Sequence, residues 1–353
     1  MDSITHIALG ACLGELYGRK ELGKKALWIG AAAQSLPDID FMASFWLSPA
    51  EDLIAHRGFT HSIFFVVVTS AGLALASSRW RSLATFNFKR WLWFFCLQIG
   101  THILLDAFNA YGTAWFEPFS HHRVSFNTLF VADPFFTIPL AVACFTLLLR
   151  GVEVRGRAWW SWGALFMSIA YLAYGVANKL YIQDLFHQSL NEKGISYHQT
   201  LVTPTPANVW LWFMVAEADE GLHVTHQSVF DAVDYQPLTF FPRNKEVLND
   251  VNDQLSVQQL IRFSEGFYVV RKYEGAWVFN DLRFGQMLGW DDPQAPFVFY
   301  YDLDDPNNNH LLIQRGRFAG WNMEAAGRFI DRIRGIKPPN IADPARSELS
   351  ENE

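Results

Sequence analysis

Histidines and aspartates gather at the ends of apolar segments in the first third of this chain, and their types and spacing are those of a ligand set. The densest group is His56-Arg57-Gly58-Phe59-Thr60-His61-Ser62, with two imidazoles five residues apart just before the apolar run 63–76. Imidazole is the commonest metal ligand and titrates near neutrality, so such a pair binds a metal, relays protons or serves plain hydrogen bonding. Gly58 permits a tight turn that folds the two rings toward each other. His102 and Asp106 stand four apart in an apolar segment, which on a helix puts imidazole and carboxylate on one face. Ionisable groups inside a membrane segment are costly and mark function, although a His–Asp hydrogen bond packing two helices has the same spacing. Asp38-Ile39-Asp40, directly after Pro37, offers two carboxylates to one cation or two, or else simple turn chemistry. His6, alone on the first short helix, gains its meaning from this company.

Joined together, His6, Asp38, Asp40, His56, His61, His102 and Asp106 are the candidate metal ligands. Nitrogen and carboxylate donors without thiolate suit zinc, manganese or iron. They exceed the needs of one tetrahedral site, so two or more divalent ions are expected, with zinc the first choice. Metals about 3.5–4 Å apart lower the pKa of a bridging water and clamp the oxygens of a phosphoester, which makes hydrolysis the natural reaction. Asp40 and Asp106 are the candidates for bridging the ions or orienting the water. Arg57 is placed to meet an anionic substrate oxygen or, alternatively, lipid headgroups. Glu117, His121 and His122 lie in a polar loop, as a further ligand or acid or as solvated surface, and His223 and His226 read as surface residues.

These residues need a scaffold, and composition describes it. Of 353 residues half are hydrophobic and 18% charged, which is low for a soluble protein. Up to Leu180 there are 14 Lys and Arg against 11 Asp and Glu, and beyond it 14 against 24, so a mildly basic apolar half precedes an acidic one. The net charge of -7 argues against a nucleic-acid partner. Cys12, Cys96 and Cys144 lie in apolar segments without short spacing, which fits neither a disulfide framework nor a zinc-thiolate knot. The N-terminal sequence shows no basic region before an apolar run and no small-residue cleavage pattern, so no removable signal peptide is expected.

Short apolar helices are predicted at 4–17 and 26–36, each under the roughly 20 residues needed to span, as a tight hairpin or a re-entrant pair. Membrane spans are predicted at 59–78, 91–108, 131–149 and 159–180, the last with interfacial tryptophans at its start. Basic groups at 19–25, 79–90 and 150–157 fall on alternate turns, so all three share one side, the cytoplasm by the positive-inside tendency. This threading brings every candidate ligand, with Asp133, to the outer, periplasmic ends of the helices.

From about 181 the texture changes. An extended stretch at 201–208 leads into strand-like runs at 209–216, 222–230, 266–271, 276–281, 297–302 and 311–314, with turns at 274–275 and 304–309. A closing helix is predicted at 323–333 and disorder after Lys337. The expected fold is therefore mainly α. A polytopic membrane helical bundle (1–180) precedes a small antiparallel β-rich, α+β extramembrane domain (181–336) and a disordered tail (337–353).

Five motifs in order resemble a known family: Thr5-His6 with Gly10, Leu36-Pro37-Asp38-Ile39-Asp40, the segment His56 to Ser62, His102-Ile-Leu-Leu-Asp106, and Tyr111-Gly112-Thr113 with Pro118-Phe119. They look like the bacterial membrane-bound metal-dependent hydrolases called YdjM-like, some described as LexA-regulated, and the likeness covers about 1–180. Asp133-Pro134 belongs to the same pattern by that resemblance. The family is distantly similar to zinc-dependent phospholipase C and related single-strand nucleases, helical proteins with a multi-zinc site of His and Asp. The matching feature is His102 followed by Asp106, with His6, Asp40 and His56 or His61 as further ligands, whereas a later His-x-x-x-Glu pair has no counterpart here. The resemblance implies an inner-membrane, metal-dependent hydrolase acting on a phosphoester of a phospholipid or lipid-linked substrate. The competing expectation is a non-catalytic stress-response membrane protein with a structural or sensing metal and a partner-binding β domain. A transporter would carry its acidic groups at mid-membrane and repeat its helices, which this chain does not.

Overall fold

The computed structural model describes residues 1–80, 83, 85–232, 237–305, 309 and 320–336. The chain divides into two compact units, one of residues 1–48, 52–176 and 206–208, the other of 49–51, 177–205 and 209–353.

The first unit is helical. α1 (Ser3–Leu22) and α2 (Lys25–Gln34) form a hairpin, followed by a 3-10 turn at Pro37–Phe45 and the short α3 (Pro49–Ala55). A second 3-10 turn, Phe59–His61, leads into α4 (Ile63–Arg79), and α5 (Phe88–Asp106), α6 (Pro134–Leu149) and the start of α7 (Ala158–Glu192) complete the unit. Side-chain caps fix where helices begin: Asp2, Ser62, Asn87 and Asp133 each accept backbone N–H groups of the first turn that follows. The small residues of the first two helices let backbone meet backbone. A Cβ on Gly10 would lie 2.5 Å from the Gly30 carbonyl oxygen, and one on Gly30 would lie 2.2 Å from that of Gly10. Large apolar and aromatic side chains, Trp91, Phe94 and Phe95 among them, fill the space beside this hairpin.

At the end of the helices away from the histidines, Glu15 and Arg157 form a two-pronged ion pair, with Nε–Oε1 at 2.8 Å and Nη2–Oε2 at 3.2 Å. Both side chains are buried. Removing either partner would strand a charge in an apolar interior, which typically costs about 3–5 kcal/mol.

Among the described residues, α7 is the one helix long and apolar enough by itself to cross a membrane. The segments Pro49–His61 and Ile63–Arg79, bent by 54°, qualify if read as one broken span, and α6 is apolar over only 16 residues. Of the four crossings expected from the sequence, one or two thus pass on length and composition. α5, which carries Lys89, Arg90, His102 and Asp106, is not among them.

The second unit holds two antiparallel sheets. In the first, β1 (Gln199–Pro204), β2 (Leu211–Glu217), β3 (Gly221–Ser228) and β4 (Thr239–Pro242) lie in sequence order; in the second, β5 (Tyr268–Tyr273), β6 (Ala276–Gln286) and β7 (Phe297–Asp302) do the same. Leu201, Phe213 and Val215 of one sheet meet Val269, Leu282 and Phe297 of the other in a single core. β4 and α8 (Gln254–Ser264) were not expected from the sequence, whereas α9 (Met323–Ile333) falls where the closing helix was. The expected strand 311–314, most of the turn 304–309 and the tail 337–353 lie outside the described residues.

His223 and His226 need a correction. An odd spacing along a strand sends two side chains to opposite faces, so they cannot share the surface. His226 is the buried one, opposite Phe213 and 5.0 Å from its ring. Burial first, then the nearby Arg332 guanidinium, lowers its pKa to about 3. An unfolded histidine titrates near 6.5, so the neutral native ring favours folding above that pH, and the advantage is lost as pH falls from there toward 3. The loss amounts to at most about 1.4 kcal/mol per pH unit. Hydrogen exchange of β2 and β3 amides in the full-length protein, corrected for intrinsic rates, should show weaker protection at pH 5 than at pH 7. His226→Gln should flatten that dependence.

Candidate metal centre

Four separate segments deliver the cluster. α1 supplies His6, the Pro37–Phe45 turn supplies Asp38 and Asp40, the Phe59–His61 turn supplies His61, and the last turn of α5 supplies His102 and Asp106. Pro37 starts the first of these turns with its ring-fixed φ. The His56–His61 loop bends at Arg57, whose φ is 59°. Its backbone N–H donates to Asp40 Oδ2 at 2.7 Å.

Asp38, His61, His102 and Asp106 each offer one ligand atom to a common point, and those four atoms all lie within 4.8 Å of one another. The two Nε2 atoms are 3.2 Å apart. Asp38 Oδ1 is 3.4 Å from His102 Nε2 and 3.7 Å from His61 Nε2, while Asp106 Oδ2 is 3.4 Å from His61 Nε2 and 3.6 Å from His102 Nε2. Nitrogen and oxygen ligands held about 2.0–2.1 Å from a tetrahedral zinc stand about 3.3 Å from each other. The observed edges scatter around that length.

The hydrogen bonding behind each ligand says which atom faces inward. His102 Nδ1 lies 2.5 Å from the Gln34 carbonyl oxygen, which can only accept, so Nδ1 carries the proton and Nε2 of the neutral ring presents a lone pair. His61 Nδ1 lies 3.3 Å from Asp40 Oδ2, the same device with a carboxylate, and the Thr60 hydroxyl donates to that oxygen. Asp106 Oδ1 meets His6 Nε2 at 3.0 Å and also contacts the Met1 amino group. Its Oδ2 accepts no hydrogen bond although the residue is fully buried. His6 stacks on His102 with ring centres 3.8 Å apart.

Acceptor atoms without protons between them therefore converge in a buried place, where unsatisfied polar groups are expensive. Asp106 meets the Met1 amino group and the Arg57 guanidinium, Asp40 accepts from the Arg57 backbone N–H, and Asp38 faces the His61 and His102 rings. Arg57 Nε is 3.4 Å from Asp106 Oδ2 without hydrogen-bond alignment, and its Nη1 donates to Asn109 Oδ1 at 2.7 Å. Burial pushes the Asp40 carboxyl up, but the rings of His56 and His61 outweigh it and hold Asp40 below the usual carboxylate range. The donor set and the orphaned Asp106 oxygen fit one divalent cation.

Not every expected ligand reaches this point. Asp40 stands behind His61, and His6 stands behind Asp106. His56, 38% exposed at its side chain, meets Asp40 Oδ1 at 3.3 Å rather than the central four. Glu117 and His121 pair with each other away from the cluster. Asp133 caps α6 and accepts from the Tyr171 hydroxyl at 2.9 Å. Sequence reasoning missed Asn109, which holds Arg57, and the Gln34 carbonyl. Asn109 had a signal as a polar residue three places after Asp106, but a backbone carbonyl has none.

A helical unit with a His/Asp cluster that could hold a metal ion at one end of its helices, followed by an antiparallel β unit, is the architecture that the family comparison meets. The chain belongs to the YdjM family, whose model, described as YdjM inner membrane protein, matches residues 1–182. It is 34% identical over 342 residues to the uncharacterized protein YfhP of Bacillus subtilis (strain 168), covering 91% of this chain and 95% of that one. It is also 28% identical over 174 residues to the inner membrane protein YbcI of Escherichia coli (strain K12), covering 48% of this chain and 95% of that protein. No solved structure matches.

Competition against a chelator, with full-length protein in detergent, separates central ligands from the residues behind them. His102→Ala and Asp106→Ala should abolish tight zinc binding. Asp40→Asn, which removes the carboxylate orienting His61, should weaken it about 10–100-fold. His56→Ala should leave it nearly unchanged.

Proposed function

We propose that this protein is a multi-pass inner-membrane hydrolase that uses a divalent metal, zinc first and manganese second, to cleave a phosphoester of a phospholipid or lipid-linked substrate. The observation that supports it most is the convergence of Asp38, His61, His102 and Asp106 on a common point, with Asp106 Oδ2 buried and without a hydrogen-bond partner. When bound there, the metal supplies Lewis acidity and an acidified water at neutral pH.

The chain's own residues would do the rest. Asp40 fixes the His61 ring, the Gln34 carbonyl fixes that of His102, and His6 holds the far oxygen of Asp106. Arg57, clamped by Asn109 and stacked 5.0 Å from the Tyr111 ring centre, brings a permanent positive charge to the edge of the site, where it suits a phosphoryl oxygen. Asp38 is the most exposed of the four ligands and marks the open side.

Several features support a multi-pass reading. Val67 and Val68 on α4, Trp93 and Leu97 on α5, Ile138 and Phe145 on α6, and Phe166 and Ile169 on α7 are all large, apolar and exposed, as lipid-facing side chains are. Lys24, Arg90 and Arg157 lie toward the other helix ends from the cluster, which by the positive-inside tendency supports a periplasmic site. The names of the family and of YbcI agree with an inner-membrane location. The sequence-level objection to nucleic acid as a partner carries over.

One observation favours a second reading, a structural or sensing metal in a non-catalytic membrane protein. Four protein ligands close a tetrahedral site, whereas hydrolytic zinc keeps three and an open position. Metal-loaded full-length protein in vesicles, offered a panel of phosphomonoesters, phosphodiesters and phospholipids, decides between them. The hydrolase reading expects product release that falls at least about 100-fold in His102→Ala and Asp106→Ala, a loss of at least about 2.7 kcal/mol in transition-state stabilisation. Stoichiometric metal with no release from any substrate would establish the second reading instead.

A further inference from the structure

The turn that carries two of the carboxylates has another face. Asp38 and Asp40 point to the metal centre, but Ile39, Phe41, Met42, Phe45 and Trp46 are exposed, Phe45 at 75% and Trp46 at 69%. In a 3-10 helix residues three apart eclipse, so Ile39, Met42 and Phe45 form one apolar edge. So much apolar surface on one short turn is foreign to a water-facing loop. The segment Ile39–Trp46 contains no Lys or Arg, and its one charged residue, Asp40, is buried.

The neighbouring elements say what covers this edge. Phe59 is exposed at the adjacent 3-10 turn, and its ring lies 6.0 Å from that of Phe64 on the first turn of α4. Phe64 in turn lies 6.2 Å from Phe119, which is 83% exposed. From Ile63 and Phe64 the exposed apolar surface continues along α4 through Val67 and Val68. Exposed apolar side chains on the turn, on the adjacent 3-10 turn and along α4 together fit a bilayer, and a tryptophan at their edge fits the headgroup boundary.

We propose that the segment Pro37–Trp46 is a wedge inserted into the bilayer surface, with Ile39, Phe41, Met42, Phe45 and Trp46 among the lipids and Asp38 and Asp40 turned back to the metal centre. The open side of the centre then lies at headgroup depth, where the phosphate of a membrane lipid reaches it from within the leaflet. This deepens the membrane reading of the first unit and rests on it.

A nitroxide attached at Phe45→Cys, in full-length protein reconstituted into phosphatidylcholine–phosphatidylglycerol vesicles, tests the proposal. A second label at Val68→Cys serves as the in-bilayer reference, and the labelled native chain supplies the background from Cys12, Cys96 and Cys144. The proposal expects position 45, like position 68, to be relaxed more by oxygen, which partitions into lipid, than by a water-soluble nickel chelate. A label at 45 relaxed by nickel while 68 stays oxygen-accessible overturns the wedge and leaves the membrane reading intact. If neither agent reaches 45, protein covers the turn, as a second copy of the chain would, and the wedge is again overturned. Nickel relaxation at both positions removes the membrane reading and the wedge together. Phe41→Cys repeats the measurement should the first variant fold poorly. No arm depends on metal or turnover, so a failure of the hydrolase reading does not touch the result.

Discussion

Two imidazole nitrogens 3.2 Å apart and two carboxylate oxygens, all within 4.8 Å of one another in a buried site, call for positive charge among them. That constraint organises the first unit. The protons are committed outward, to the Gln34 carbonyl behind His102 and to Asp40 behind His61. The inward atoms are thereby left as acceptors. A proton could relieve part of the crowding. A divalent cation relieves more of it, and the His–His and His–Asp distances of 3.2–3.7 Å are near those that a zinc-sized ion imposes on its ligands.

Holding such a cluster together requires rigid surroundings, and the helices provide them by opposite means at their two ends. Near the cluster, glycine contacts bring α1 and α2 so close that the hairpin has no freedom to splay, which fixes Gln34 and His6 together. At the other end the buried Glu15–Arg157 pair ties α1 to the segment leading into α7. Charge is thus spent twice in an apolar unit, once as a satisfied ion pair and once as an unsatisfied ligand set. The relative YbcI is matched over 95% of its length by only 174 residues, so it has no room for both units found here. YfhP is matched along both, which makes the β unit an addition shared by some relatives rather than a requirement of the family's helical core.

Much of this was legible because its physics is local. Apolar runs marked α2, α4, α5 and α6 within about four residues but stopped twelve residues short of the end of α7, Asp133-Pro134 marked a cap, and the i, i+4 spacing put His102 and Asp106 on one face. β2, β3, β5, β6 and β7 were visible as strand-like runs, while β4, only four residues long, and α8, amphipathic but polar on average, gave too little signal. Proximity in space was harder. Seven candidate ligands stood on an equal footing in one dimension, and only packing separates the four that converge from His6, Asp40 and His56 around them. His226 shows the same limit, since a strand's inward face depends on a register set by partners far along the chain.

X-ray absorption at the zinc edge of purified, zinc-loaded full-length protein tests the central claim most directly. The account requires a single shell of nitrogen and oxygen neighbours at about 2.0–2.1 Å, with outer-shell scattering from two imidazole rings and no sulfur. In His102→Ala, which keeps one of the two rings, that imidazole scattering should fall by at least about half. A shell of water oxygens alone, or a thiolate distance of about 2.3 Å, would mean that the metal binds elsewhere and that Asp38, His61, His102 and Asp106 do not form its site.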